Sequence, residues 1–307
     1  MLRYALRRLL TALPVVAVAV TACFFLLRLA PGGPFDQERP LPPQIKENLH
    51  RHYHLDRPLS EQYFLYIGKL ARGDLGPSFT DFTYTVNEKI AKGLPYTLEL
   101  GLWALVLATA AGMLSGTYSA LRPGALSEVA LSFVILSGLV LPNFLLGPLL
   151  QEYLGKPSPY LKIGGWGDGG WDYLLLPVVV LSASHAARVS RLMRGSLLET
   201  LGANFVRVAR SKGIGEAAVV FRHALRPALL PVVSYLGPAA GFLLTGSIVV
   251  ENLFGLPGVG KFFIDAALNR DYGMVLGTVV FYMFLILALN LIVDLLYALL
   301  DPRVRHR

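Results

Sequence analysis

Six stretches of the chain, residues 9–27, 100–121, 129–151, 173–187, 227–250 and 272–293, contain no Asp, Glu, Lys or Arg. A bilayer core of about 30 Å is crossed by about 20 apolar helical residues. In hydrocarbon a crossing segment must satisfy its own backbone N–H and C=O groups, which favours the helix for such runs. The sequence therefore predicts an all-α integral membrane protein with six transmembrane helices. Composition agrees. Mean hydropathy is +0.53 and 16% of the 307 residues are charged, against roughly 25% in an ordinary soluble domain. The fourth run has only 15 residues. It spans if Asp172, Arg188, Arg191 and Arg194 snorkel toward the headgroups, and the alternative is a re-entrant segment.

Lys and Arg in the connections set the orientation. With the N-terminus inside, residues 1–8, Arg122, 188–226 and 301–307 face inward. With Glu128 of the Arg122 turn and Asp294 at the end of the last run counted to it, that side carries +10 and the other −2, which accounts for the overall +8. The basic surplus, with a pI near 9.6, is thus an inside-face feature and calls for no nucleic-acid partner. Cys23 is the lone cysteine, so an intramolecular disulfide is excluded. The first run is longer than a secretory apolar core, and "RLAPGGPF" lacks a small-residue cleavage pattern, so an uncleaved anchor over 1–30 is expected.

Residues 31–96 form the longest connection, an outer cap after the first span. In "PLSEQYFLYIGKLARGD", Tyr63, Ile67, Leu70 and Ala71 share one helical face, with Phe64 beside it. "TVNEKIAKG" opens with Thr85 and Glu88 in a capping box and is expected to close on Gly93. These helices are expected on the membrane surface or against the outer span ends. Residues 97–300 read as a core of five spans, and 301–307 as a cytoplasmic tail. Within the core, 199–226 is a basic inner loop. Asn204 is the expected N-cap of a helix over 205–211, Gly213 and Gly215 break the chain, and a second helix over 216–225 ends as Pro227 opens the fifth span. Such a basic helix–turn–helix is a docking shape, or simply a loop obeying the positive-inside rule.

The loop "FVRVARSKGIG…RHALRPALLP" resembles the coupling loop of bacterial importers driven by ATP-binding-cassette (ABC) subunits. That pattern is EAA, three residues, Gly, nine residues, then I-x-L-P. Aligned on Gly213, it puts the triplet at Arg207, Val208 and Ala209, so the literal "EAA" at Glu216 is a decoy. The departures at both ends match the variant of peptide permeases. "LRRLLTALPVV", "YHLDRPLSEQYFLYIGKLARGDLGPSF", "GSIVVENLFGLPGVGKFFIDAALNRDY" and "NLIVDLLYALLDPRVR" extend the likeness over nearly the whole chain. With "GPFDQERPLPP", the chain resembles the B-type permease subunits of oligopeptide importers (the OppB/DppB family), and dipeptide or nickel members less.

The resemblance implies the type I importer (MetI-like) fold in a bacterial inner membrane, both termini cytoplasmic. It also implies a homologous C-type permease partner, two cytoplasmic ABC ATPases and an extracytoplasmic peptide-binding protein, with no cofactor in this chain. It assigns ATPase coupling to Arg207, Ala209, Arg210, Lys212, Gly213 and Gly215.

Other signals are weaker. "GLPGVGKF" nearly spells a phosphate loop, but Phe262 replaces the magnesium-binding hydroxyl and the stretch follows a span instead of a soluble strand. His50, His52 and His54 alternate, which converges on a metal only in an extended strand, and this stretch reads as helix. No catalytic constellation points to a membrane enzyme. An ion-coupled secondary transporter is the rival of another class, yet Asp294 is the main ionisable candidate within a span. Gly237, Gly241 and Thr245 stand four apart, with Ser234 and Ser247 nearby and Glu251 beyond. The row either lines a path, with Ser234, Thr245, Ser247 and Glu251 as candidates, or packs against a helix.

Overall fold

The computed structural model describes residues 2–29, 33–35 and 42–300, and every regular element among them is helical. In chain order the helices are α1 (Leu2–Leu29), α2 (Pro43–His52), α3 (Leu59–Leu70), α4 (Val86–Leu121), α5 (Leu126–Val140), α6 (Asn143–Leu150), α7 (Trp171–Leu201), α8 (Asn204–Ser211), α9 (Glu216–Ala218), α10 (Leu225–Ala228), α11 (Leu230–Phe254), α12 (Val259–Leu268) and α13 (Tyr272–Leu300). Wide π-type turns extend α6 over Gln151–Gly155 and join α9 to α10 over Val219–Ala224. Among the described residues α4, α7, α11 and α13 are long and apolar enough to cross a bilayer, and the α5–α6 pair is a fifth candidate. The apolar part of α1, Leu13–Leu29, is shorter.

The third run departs from the expected straight span. Its two halves, Leu126–Val140 and Asn143–Gly155, are bent by 118°. Pro142 is the cause. The proline ring disfavours helical backbone at the residue before it, and Leu141 is extended at φ −81, ψ 116. The 15-residue fourth run, in contrast, lies inside the 31-residue α7.

The chain divides into two compact units. The unit from Leu98 to Leu256 is built on α7, against which α5, α6 and α11 pack. Glycines let α4 approach α7: a Cβ on Gly112 would lie 2.7 Å from the Ala186 carbonyl oxygen, and one on Gly116 2.7 Å from Met193 Cβ. Ser115 Oγ donates to Ser190 Oγ across the same contact at 2.9 Å. One apolar core gathers Leu100, Leu174, Leu181, Leu243 and Phe254. A second gathers Val189, Met193 and Leu197 of α7 with Val206, Ala209, Val219 and Ala224 of the following connection.

The other unit holds the chain up to Thr97 together with Pro257–Ala298. Here α3 turns Tyr66, Ile67 and Leu70 onto Val16 and Val20 of α1 and Val280 of α13. Tyr63, Ile67 and Leu70 are half-buried as their spacing predicts, while Ala71 and Phe64 are exposed. The capping box forms: Glu88 N–H donates to Thr85 Oγ1 at 3.3 Å and Thr85 N–H to Glu88 Oε2 at 2.8 Å. That contact holds the Glu88 carboxyl below the usual carboxylate range. The helix does not stop at Gly93, however, but runs on through Pro95. Gly93 serves close approach: a Cβ there would sit 2.9 Å from the Val259 nitrogen. One turn on, Thr97 Oγ1 accepts the Val259 N–H at 3.0 Å.

Candidate functional site

The connection between α7 and α11 contains the helix–turn–helix that the sequence predicts, with two boundary corrections. Asn204 is the first helical residue of α8; Ala203, extended at φ −70, ψ 151, is the N-cap, and the Asn204 side chain makes no capping bond. The second arm is helical from α9 through α10 and passes over Pro227, so the fifth apolar helix opens at Leu230 with Pro231 in its first turn. Gly213 forms the turn in left-handed backbone, φ +75. Gly215, at φ −60, is extended and caps α9.

Helical spacing sorts the side chains of α8. Val206 and Ala209, three apart, are buried against α7 in the second apolar core. Ala209 therefore packs inside the connection, whereas Arg207, Arg210, Lys212, Gly213 and Gly215 are exposed. Arg210 is clamped: Nε donates to Glu216 Oε2 at 3.1 Å and Nη2 to Glu216 Oε1 at 2.6 Å. This fork closes the turn and makes the decoy "EAA" glutamate a structural partner. The clamp holds the Glu216 carboxyl below the usual range. A depressed carboxylate keeps its contribution at neutral pH and loses it only as the pH falls through the depressed value. Three apolar residues that sequence reasoning passed over, Phe205, Val208 and Phe221, are 50%, 51% and 65% exposed among these cations. The i, i+3 spacing of Phe205 and Val208, on the side of α8 next to Val206 and Ala209, was the available signal. The connection thus offers an apolar ridge rimmed by cations on a base fixed to α7.

The four candidate path residues do not share one surface. At 100° per residue, Ser234 and Thr245 fall on one side of α11 and Ser247 on the other. Ser234 is exposed and Thr245 half-buried, its hydroxyl donating to the Gly241 carbonyl at 2.9 Å. Ser247 is buried and donates to Glu251 Oε1 at 2.6 Å, with Glu251 only 1% exposed. Among the described residues a Cβ on Gly241 would meet nothing within 4 Å, so that glycine makes no close helix contact with them.

In the other unit, Asp271 is 1% exposed and draws in the segment after α3. Its carboxylate accepts the Ser78 hydroxyl, Phe79 N–H at 2.9 Å, and Thr80 N–H and Oγ1 at 3.3 and 2.9 Å. It also accepts Met274 N–H at 3.0 Å and so caps α13. The phosphate-loop look-alike is a helix-to-helix turn: left-handed Gly255 ends α11 and Gly258 is the N-cap of α12. His50 and His52 lie on α2, as helix, with His50 against the Phe35 ring at 5.7 Å. The side chain of Asp294 lies outside the described ones.

The family of binding-protein-dependent transport system inner membrane components matches residues 108–306. The oligopeptide transport system permease protein OppB of Haemophilus influenzae is 43% identical over 306 residues, covering 100% of both chains. The dipeptide transport system permease protein DppB of Bacillus subtilis is 36% identical, covering 99% of this chain and 98% of its own. A crystal structure of an amino acid ABC transporter with histidines superposes with a TM-score of 0.54 at 17% identity, over 71% of this chain and 94% of that one. The likeness extends the type I importer fold to this chain.

Proposed function

The chain belongs to the family of binding-protein-dependent transport system inner membrane components, and on that premise we propose that it is the B-type permease subunit of an ATP-driven oligopeptide importer. End-to-end identity of 43% to a relative named for oligopeptides, against 36% to one named for dipeptides, carries the choice of cargo. Dipeptide uptake is the second reading.

The connection between α7 and α11 is the coupling loop. Its ridge of Phe205, Val208 and Phe221 enters a groove on a cytoplasmic ATPase, with Arg207 and Lys212 at the rim. Arg210 acts through its clamp on Glu216 and Ala209 through packing, so both shape the loop. Because Val206 and Ala209 are packed onto Met193 and Leu197 of α7, movement of the loop moves the end of α7 with it. ATP closes the ATPase pair, the loop follows, and the helices open toward the loaded binding protein. A C-type permease supplies the other half of the path. ATP hydrolysis belongs to the partner subunits.

Both termini and the coupling loop are cytoplasmic, and 31–96 and 251–272 are extracytoplasmic. In a Cys23→Ser background, a cysteine replacing the 78%-exposed Leu268 should react with a membrane-impermeant thiol reagent in intact cells. Labelling only after the cytoplasm is opened reverses this topology.

The decisive experiment is reconstitution. Purified with its C-type partner, two ATPases and the binding protein, the complex should accumulate peptide only with ATP, and should do so after the proton gradient is collapsed. The chain alone should accumulate none. Accumulation by the lone chain under an imposed proton gradient favours the secondary transporter.

A further inference from the structure

His185 is a titratable side chain inside an apolar run, and it meets a second polar side chain from another helix. Its Nδ1 lies 2.7 Å from the Tyr235 hydroxyl of α11, a hydrogen bond whose direction follows the imidazole tautomer. The two rings are 6.1 Å apart. Arg188, one helical turn along α7, lies near enough to His185 and Tyr235 to act on both electrostatically.

Depth makes this cluster unusual. Trp171 opens α7 with its ring edge-on to Trp103 at 4.6 Å, a pair of the kind that marks a membrane interface. At 1.5 Å per residue, His185 and Arg188 stand roughly 21 and 25 Å along the helix from Trp171. In a core of about 30 Å that is still within the membrane, near the end that carries the coupling loop. A charged group at this depth faces a partner or a water-filled route, since lipid would leave it unsolvated. Arg188 is exposed, and among the described residues no carboxylate pairs with it. Arg194, less than two turns on, does have one: Glu128 at 3.4 Å. Ser234, next to Tyr235, is exposed as well.

A guanidinium, an imidazole and a phenol converging without an acid form a donor set for an anion. We propose that Arg188, His185 and Tyr235 are a station for the C-terminal carboxylate of the peptide as it crosses, an inference that rests on the peptide-importer reading. A carboxylate is common to linear peptides whatever their side chains, so one such station serves a varied cargo.

The test is uptake by the reconstituted complex, with saturating binding protein, of one peptide in its free-carboxylate and C-terminally amidated forms. The ratio of the two rates is compared between wild type, Arg188→Gln and Arg188→Lys. The binding protein is the same throughout, so its own preference cancels. Arg188→Gln should lower the carboxylate-to-amide ratio about fivefold, the upper end for an ion pair at an exposed side chain. Arg188→Lys should keep most of it. If Arg188→Gln does not assemble, Tyr235→Phe and His185→Gln are read by the same ratio and should lower it too. An equal fall for both forms makes the cluster a tie between α7 and α11 and overturns the proposal. An unchanged ratio overturns it also, leaving Arg188 as a headgroup contact. Absence of uptake of either form by the wild-type complex overturns the peptide-importer reading and this proposal with it.

Discussion

Replacing Gly213 with valine is expected to lower peptide uptake about fivefold or more while the assembled complex goes on hydrolysing ATP. Gly213 has φ +75, and a Cβ there would meet nothing within 4 Å among the described residues. The obstacle inside the chain is therefore the backbone alone. A β-branched residue in left-handed backbone costs about 1–3 kcal/mol, and each 1.4 kcal/mol is a factor of ten in the population of the turn. Asparagine tolerates that backbone, so Gly213→Asn separates two causes. If it transports normally, the turn is what matters. If it fails as valine does, the side chain obstructs an approaching partner. Normal uptake by both variants refutes the assignment of this turn to coupling. The expected signature, hydrolysis without transport, is not produced by a merely misfolded subunit.

The second large effect is expected at Asp271. Asp271→Ala leaves the buried N–H groups of Phe79 and Met274 and the Ser78 hydroxyl without their acceptor. Each unsatisfied buried group costs about 1–3 kcal/mol, and loss of a helix N-cap about 1 kcal/mol. Together these reach the scale of a small domain's net stability, about 5–15 kcal/mol. The segment around Pro77–Thr80 should detach, read as new protease cleavage there in right-side-out vesicles and as lower subunit yield. Asp271→Asn should fall between the two, since it keeps one acceptor oxygen. Protease resistance equal to wild type in Asp271→Ala contradicts this account.

Local rules made much of the molecule legible in the sequence. Runs without charge lie in helices because backbone polar groups in hydrocarbon have no other partners. The Thr85–Glu88 box, the Gly213 turn and the α8 helix follow from residues within four positions of one another. The misreadings are also local rules, overruled from a distance. Gly93 looked like a helix end, yet it lets Val259, far along the chain, come within contact of the backbone. Pro142 carried a signal that run length concealed, since a proline in an apolar run still forces its predecessor out of the helix.

Composition and spacing alone determined that this chain is helical and membrane-spanning, because those depend on solvent and on neighbours in sequence. Only the tertiary structure decided which polar residues meet. Asp271 reaches Ser78 across 193 positions and His185 reaches Tyr235 across 50. The same packing put Ser247 with Glu251 in the interior and left Ser234 at the surface. A buried polar group must find a donor or acceptor wherever the fold brings one, and no periodicity in the chain encodes that partner.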